Sequence, residues 1–194
     1  MKILIAVPTF ENILPECFKA IYDMEKPCQC DFDFIKGYDC AKARNKIMEK
    51  AIKGNYDYAL MVDSDTIVPK DALVNMLEGD ADVVLGFCPH KNTKEGRSEI
   101  HRPGPAYGDR IFYKDIPKES KIDVRGGGAA CILINVKTVE EQIEKPFFKY
   151  VIYDSGETLS EDLYFCTQAR SVGLKIQADT RVRCGHLARY FQYE

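Results

Sequence analysis

The sequence predicts a single α/β domain, residues 1–194, with a mostly parallel central sheet flanked by helices. Short apolar runs of strand length alternate with segments of helical pattern along the first half of the chain, an order typical of parallel sheets. The most apolar of these runs, Tyr58 to Val62, ends abruptly at Asp63-Ser64-Asp65. Because open α/β sheets bind ligands at the carboxyl ends of their strands, these residues mark the expected functional edge.

Size, charge and cysteine content restrict the class of protein. A chain of 194 residues and 22.1 kDa is large enough for one hydrophobic core and short for two. The net charge of -3 gives no electrostatic reason to expect a nucleic-acid partner. The apolar run 2–7 is too short for a signal peptide, and no stretch approaches the ~20 apolar residues of a membrane span. We therefore expect a cytoplasmic protein with reduced thiols at its eight cysteines, with a disulfide or two as the alternative in an extreme thermophile; its oligomeric state is left open.

The first half of the chain has strand and helix patterns in strict alternation. Asp39 is a suitable N-cap for the second helix, Gly54 its expected end, and Ala43, Ile47 and Ala51 form one apolar stripe along it. The predicted elements are strand 2–7, helix 14–25, strand 31–36, helix Cys40–Lys53, strand Tyr58–Val62, helix 69–77 and strand 82–87.

The second half begins with a long polar segment, 89–127, which we expect to form a loop and hairpin over the sheet edge that shapes or covers a substrate site. A plain surface excursion is the alternative. Three glycines at 126–128 then allow a backbone to approach a ligand closely, although they also suit a bulge or turn. The remaining predicted elements are strand 131–136, helix 138–144, strand 150–153, a helix after Ser160 that stops at Gly173, and strands 175–179 and 181–184.

Asp63 and Asp65 are the first candidates for chemistry. In extended backbone, residues two apart leave the same face, so the two carboxylates suit a hard divalent cation. Asp and Ser are equally ordinary in a turn between a strand and a helix. Glu161 and Asp162 likewise fit the first turn of a helix without any catalytic role, and a lone histidine such as His186 is more often structural than a ligand.

Taken in order, the motifs of the chain resemble those of the family-2-like glycosyltransferases, which have the GT-A fold, and the resemblance spans most of the chain. In that family a turn after the first strand contacts the nucleotide base, an Ala-Arg-Asn lies under the nucleotide, and an Asp-x-Asp holds the ribose and a metal ion. The matching segments here are 7–12, 43–45 and 63–65. The resemblance implies donor-binding roles for Pro8, Thr9, Glu11, Arg44, Asn45, Asp63, Ser64 and Asp65.

Further matches lie in the second half. The glycines at 126–128 look like the family's sugar and acceptor wall, which implies contacts from Gly127 and Gly128. Ser160-Glu161-Asp162 looks like the catalytic base motif, and His186 is similar to the family's third metal ligand, beside Asp65 and Asp63. No Gln-x-x-Arg-Trp is present, which argues against processive polymer synthases. Many members also have a long C-terminal extension that this chain lacks, so the acceptor is poorly defined.

The resemblance implies a metal-dependent glycosyltransferase that uses Mn²⁺ or Mg²⁺, takes a nucleotide-sugar donor with UDP favoured, and glycosylates an acceptor hydroxyl with inversion. The metal neutralises charge that develops on the diphosphate, to which Arg181, Arg183 or Arg189 could add. Asp162 is the expected base and Glu161 the neighbour that could bind hydroxyls. Two alternatives are a non-catalytic nucleotide-binding protein and a phosphatase of the haloacid-dehalogenase type, whose nucleophile would be Asp63.

Overall fold

The computed structural model describes residues 1–90, 96–104, 107–118 and 120–187. These residues form a mixed α/β fold with one large central sheet. The elements, in chain order, are β1 (Lys2–Thr9), α1 (Pro15–Asp23), β2 (Gln29–Lys36), α2 (Cys40–Lys53), β3 (Tyr58–Val62), β4 (Thr66–Ile67), α3 (Ala72–Leu77), β5 (Val83–Phe87), β6 (Arg97–His101), β7 (Arg110–Phe112), a 3-10 turn (Tyr113–Asp115), β8 (Lys121–Asp123), β9 (Gly126–Gly127), β10 (Cys131–Asn135), α4 (Val136–Gln142), β11 (Val151–Ile152), β12 (Thr158–Leu159), α5 (Glu161–Ser171), β13 (Ile176–Arg183) and β14 (Gly185–His186).

The central sheet has seven strands in the order β2-β1-β3-β10-β5-β13-β8. The predicted α/β class is confirmed, but the sheet is less parallel than expected: β10 runs antiparallel to both its neighbours, and β8 runs antiparallel to β13. The other three pairings, β1 with β2, β1 with β3, and β5 with β13, are parallel. In this antiparallel arrangement the start of β10 lies beside the end of β3, with Cys131 opposite Val62.

Hydrophobic side chains pack on both faces of this sheet, which explains why its inner strands are apolar along their whole length. One core lies between the sheet and α2, α4 and α5, and the other lies between the sheet and α1 and α3. The predicted stripe on α2 is confirmed, since Ala43, Ile47 and Ala51 are buried. Asp39 caps this helix as predicted, because its carboxylate accepts a hydrogen bond of 2.9 Å from the backbone N–H of Lys42.

The predicted helix 69–77 is wrong at its start. The chain after Asp65 first forms the short strand β4, which pairs with β14 so that Thr66 lies opposite His186, and α3 begins only at Ala72. The partner strand is more than 100 residues away in sequence, so no local pattern around Thr66 indicates the pairing. This small ladder brings His186 to the end of β3.

Segment 89–127 is more regular than the predicted loop and hairpin. Its described residues form the sheet β7-β6-β9 beside the central sheet and also contribute β8 to the outer edge. The strands predicted at 175–179 and 181–184 are one strand, β13, with an irregularity in its pairing between Asp179 and Arg183. Among the described helices, none combines the length and apolar character required to cross a membrane. All eight cysteines are free thiols.

Candidate active site

The turn after β3 carries the Asp-x-Asp sequence to the functional edge of the sheet. The backbone N–H of Asp63 donates to the carbonyl of Ala130 at 2.9 Å, and the N–H of Thr66 donates to the carbonyl of Asp63 at 3.0 Å. These bonds fix the turn, which leads from β3 into β4, against the start of β10. The two carboxylates have different partners: Asp63 Oδ1 lies 2.9 Å from the Arg44 guanidinium, and Asp65 Oδ1 lies 3.4 Å from His186 Nε2.

His186 is oriented by the chain around it. Its Nδ1 lies 2.8 Å from the backbone carbonyl of Pro89, which can only accept, so the ring donates through Nδ1. In the neutral tautomer the lone pair is then on Nε2, the nitrogen nearest Asp65. A backbone carbonyl on the second ring nitrogen is the usual support of a histidine that binds a metal. The structure thus brings together Asp65 and His186, as the resemblance implies.

A metal at this place would take only part of its ligands from the protein. Within the described ranges, no group of three or more His, Cys, Asp or Glu side chains is arranged to hold a metal ion. Asp65 and His186 offer one oxygen and one nitrogen donor, a set that fits Mn²⁺ when phosphate oxygens or water complete the shell. Asp63 stays a predicted ligand of ribose or metal, with one oxygen engaged by Arg44.

Arg44 is a buried cation beneath the carboxylates, with 2% of its surface exposed. It lies 3.1 Å from Glu161 Oε1 and 2.9 Å from Asp63 Oδ1, and it donates to the carbonyl of Ala129 at 3.2 Å. Burial opposes the charge of Arg44, but Asp63 and Glu161 outweigh it and raise the pKa of the guanidinium. Burial raises the pKa of Asp63 and of Glu161, and Arg44 opposes that rise in both. Arg44 therefore ties α2 to β3 and α5.

The neighbouring carboxylates of Glu161 and Asp162 point in different directions. Glu161 is buried against Arg44, whereas Asp162 is half-buried. Asp162 Oδ1 accepts from the N–H of Leu163 at 2.8 Å and from the hydroxyl of Ser160. Ser160 is the N-cap residue as predicted, but in the described chain its hydroxyl caps no backbone N–H and donates to Asp162 instead. Asp162 is therefore the more exposed of the two carboxylates at this helix start.

A cleft of about 420 Å³ adjoins the Asp-x-Asp turn on the side of β1 and α2. Of the predicted donor-binding residues it includes Pro8, Thr9, Asp63, Ser64 and Asp65. Phe10 and Ala43, which lie in the matching segments 7–12 and 43–45, also line it. The described lining is completed by residues to which the sequence analysis gave no donor-binding role, namely Tyr38, Asp39, Cys40 and Tyr150. Tyr38 directly precedes the helix cap Asp39. Its aromatic side chain at a predicted helix start is the sequence feature that could have marked it as a cleft residue.

Three predicted donor-binding residues are not in the described lining of this cleft: Glu11, Arg44 and Asn45. Glu11 is exposed in the turn after β1. The amide of Asn45 bridges to the backbone of Phe148, donating to its carbonyl at 2.7 Å and accepting from its N–H at 3.1 Å. The structure therefore gives Asn45 a bridging role between α2 and the segment after α4.

Arg181 and Arg183 line a surface depression of about 610 Å³ and are not in the described lining of the cleft, so their contribution to the charge at the metal stays a prediction. Arg181 forms ion pairs of 2.7 Å with Glu78 and 2.8 Å with Asp179. Arg183 donates to the carbonyl of Thr180 at 3.0 Å. Arg189 lies outside the described residues.

The two predicted glycines of the sugar wall have different surroundings. A Cβ at Gly127 would lie 2.8 Å from the backbone carbonyl oxygen of Glu99 and 2.7 Å from Ile100 Cδ1, so the close approach of β6 favours a glycine there. A Cβ at Gly128 would lie 2.9 Å from Glu99 Cβ and 3.6 Å from Asp162 Oδ2. Gly128 therefore borders Asp162, and Glu99 is a neighbour that the sequence analysis missed.

Comparison with solved structures identifies the fold. The crystal structure of GalNAc-T7 with UDP, GalNAc and Mn²⁺ matches 96% of this chain and 44% of its own, with a TM-score of 0.64 and 10% identity. A mutant of Drosophila β1,4-galactosyltransferase 7 in complex with manganese, UDP-Gal and xylobiose matches 97% of this chain and 71% of its own, with a TM-score of 0.54 and 16% identity. The chain has the fold of these glycosyltransferases. It spans less than half of GalNAc-T7.

A third solved structure is similar over almost the whole length of both chains. The crystal structure of A197 from STIV covers 97% of this chain and 87% of its own, with a TM-score of 0.66 and 18% identity. No family model matches the sequence, and no curated protein is detectably similar to it.

Proposed function

We propose that the protein is a metal-dependent glycosyltransferase that moves a sugar from a nucleotide-sugar donor, with UDP favoured, to an acceptor hydroxyl. The observation that carries the proposal is the arrangement of three groups at one sheet edge. The Asp65–His186 pair lies beside the cleft. The ion pairs Asp63–Arg44–Glu161 connect the cleft with Asp162, the residue that follows Glu161. The similar fold of two glycosyltransferases whose structures hold UDP or UDP-Gal with manganese supports it.

The cleft suits the nucleotide part of such a donor. Its aromatic residues, Tyr38, Tyr150 and Phe10, offer surfaces against which a base can pack, while Asp63 and Ser64 offer polar atoms to a ribose. Asp65 also lines the cleft and lies next to His186, where the diphosphate would meet the metal pair. A divalent ion held there would stabilise the negative charge that develops on the leaving diphosphate.

Asp162 is the proposed base. Its Oδ1 is held by two donors, Leu163 N–H and Ser160 Oγ, so Oδ2 can accept the proton of the attacking hydroxyl. Arg44 offsets part of the negative charge of Asp63 and Glu161, so the charge beside Asp162 is less negative than the carboxylates alone would make it. Direct displacement with one base and no protein nucleophile inverts the anomeric carbon.

Thermal denaturation tests donor binding without knowledge of the acceptor. We expect UDP with Mn²⁺ to stabilise the protein by ~2.7 kcal/mol at 100 times its dissociation constant, and to do so much less after a chelator is added. A panel of other nucleotides provides the control for the base and the phosphates. Equal stabilisation with and without the metal, or none by any nucleotide, would contradict the proposal.

The metal pair gives a first prediction by substitution. Asp65→Ala and His186→Ala should each weaken manganese-dependent UDP binding, because each removes one of the two protein donors next to the diphosphate. The double variant should be little worse than either severe single one, since the two residues act on one ion. Calorimetric titration of UDP with and without Mn²⁺ measures this. Unchanged metal dependence in both single variants would remove Asp65 and His186 from the site.

A further inference from the structure

Strand β6 lies against the glycines at 126–128, next to Asp162, and forms one wall of this part of the protein. β6 and β9 pair in antiparallel fashion, with Ile100 opposite Gly127, and the N–H of Gly128 donates to the carbonyl of Glu99 at 3.0 Å. The same Cβ position on Gly128 lies close to both Glu99 Cβ and Asp162 Oδ2, at 2.9 and 3.6 Å. Glu99 and Asp162 therefore flank Gly128, and the space between them exists because residue 128 has no side chain.

Glu99 has cationic or potentially cationic neighbours on both of its carboxylate oxygens. Its Oε1 lies 3.8 Å from His90 Nε2, and its Oε2 lies 3.5 Å from Arg110. Both separations exceed the usual length of a hydrogen bond, so the oxygens keep acceptor capacity for a ligand. The side chain is 23% exposed, so a ligand can reach it. His90 also follows Pro89, whose carbonyl orients His186, which joins this wall to the metal pair.

His101, two residues after Glu99 on β6, is a buried part of this wall. It is 5% exposed, and its Nδ1 is buried without a hydrogen-bond partner among the described residues. Its ring packs edge-on against Tyr107 at 5.2 Å, and Tyr107 donates to the carbonyl of Leu163 in the helix of Asp162. Burial and the charge of Arg110 lower the pKa of His101 to about 4 despite Asp162, so the imidazole is neutral. His101 therefore packs β6 against the helix that carries Asp162.

We propose that Glu99, over the backbone of Gly128, forms a subsite that binds the hydroxyl groups of a carbohydrate beside Asp162. The subsite rests on the proposed function. Of the described residues that line the nucleotide cleft, none belongs to it, so it lies apart from the base-binding side. The carboxylate oxygens of Glu99 accept hydrogen bonds, which the hydroxyl groups of a sugar donate. The sugar is either that of the donor or that of an acceptor.

Titration calorimetry with Mn²⁺ separates the two sources. UDP, UDP-glucose, UDP-galactose and UDP-N-acetylglucosamine are titrated into the wild type, Glu99→Gln and the exposed control Glu140→Gln. If the subsite holds the donor sugar, Glu99→Gln should bind UDP like the wild type and a sugar nucleotide at least about 10-fold more weakly. If it holds an acceptor sugar, donor affinity is unchanged, and the KM for methyl glycosides in UDP-release assays rises by a similar factor while donor hydrolysis is retained.

Gly128→Ala tests the same subsite through shape. The added methyl would force Glu99 aside, so the variant should show the selective loss seen with Glu99→Gln. Gly108→Ala is the matched control, because a Cβ at Gly108 meets no atom within 4 Å. Wild-type values for sugar-nucleotide affinity and acceptor KM in both Glu99→Gln and Gly128→Ala would overturn the subsite alone. A wild type that binds neither UDP nor any sugar nucleotide would overturn the proposed function and the subsite with it.

Discussion

Asp162→Asn should reduce sugar transfer by ~10²- to 10⁴-fold, the usual contribution of a general base, while nucleotide affinity stays at the wild-type level. The amide has the size of the carboxylate, and its oxygen can still accept from the N–H of Leu163. What it loses is the ability to take a proton from the attacking hydroxyl. UDP release from a sugar nucleotide measures transfer, and calorimetric titration of UDP with Mn²⁺ measures affinity.

Glu161→Gln is the matched comparison, because the residue is adjacent but buried against Arg44. We expect Glu161→Gln to lower the free energy of unfolding, since an amide pairs less well with a guanidinium than a carboxylate does. A large loss of transfer in folded Glu161→Gln with normal transfer in Asp162→Asn would show that the base was assigned to the wrong neighbour. If neither variant loses transfer, the base lies elsewhere, and Asp154 is the next candidate.

Arg44→Ala should lower the free energy of unfolding by ~3–5 kcal/mol, the usual effect of removing one partner from a buried ion pair. The substitution leaves the carboxylates of Asp63 and Glu161 without their common cation, and it also removes the bond to Ala129. Arg44→Lys should recover only part of the loss, because an ammonium group cannot reach both carboxylates as a planar guanidinium does. Urea denaturation measures these differences.

Lys46→Ala on the same helix is the control, since its ion pair with Glu49 at 3.2 Å is exposed. Such pairs contribute about 0–1 kcal/mol. If Arg44→Ala does not fold, adding Asp63→Asn and Glu161→Gln should recover folding by removing the unpaired charges. Equal unfolding free energies for Arg44→Ala and Lys46→Ala would contradict the structural role of Arg44.

Local patterns predicted the elements that local interactions determine. The stripe of α2, the Asp39 cap and the buried strand β3 with its carboxylate end follow from the spacing of apolar residues and from one capping side chain. The approach of His186 to Asp65 has a different origin, because it depends on pairing between β4 and β14. The resemblance to a glycosyltransferase family indicated that contact, whereas periodicity near either residue did not.

The different roles of Glu161 and Asp162 show where sequence reasoning stops. Side chains one residue apart on a helix point about 100° apart, so only one of the two can face a given hydroxyl. The sequence does not tell which one. The contact with Arg44 holds Glu161 in the interior and leaves Asp162 as the more exposed carboxylate. Arg44 lies 117 residues earlier in the chain. Glu99 escaped notice for a similar reason, since its place beside Gly128 follows from the pairing of β6 with β9.

UDP release from a panel of UDP-sugars, by the wild type and by Asp162→Asn, tests the central claim most directly. With Mn²⁺ and an acceptor panel, the account predicts release by the wild type that a chelator abolishes and that Asp162→Asn reduces by at least ~10²-fold. Manganese-dependent UDP binding with no turnover of any sugar nucleotide would support the non-catalytic alternative. Free phosphate released from phosphomonoesters would support the phosphatase, and either result would contradict the account.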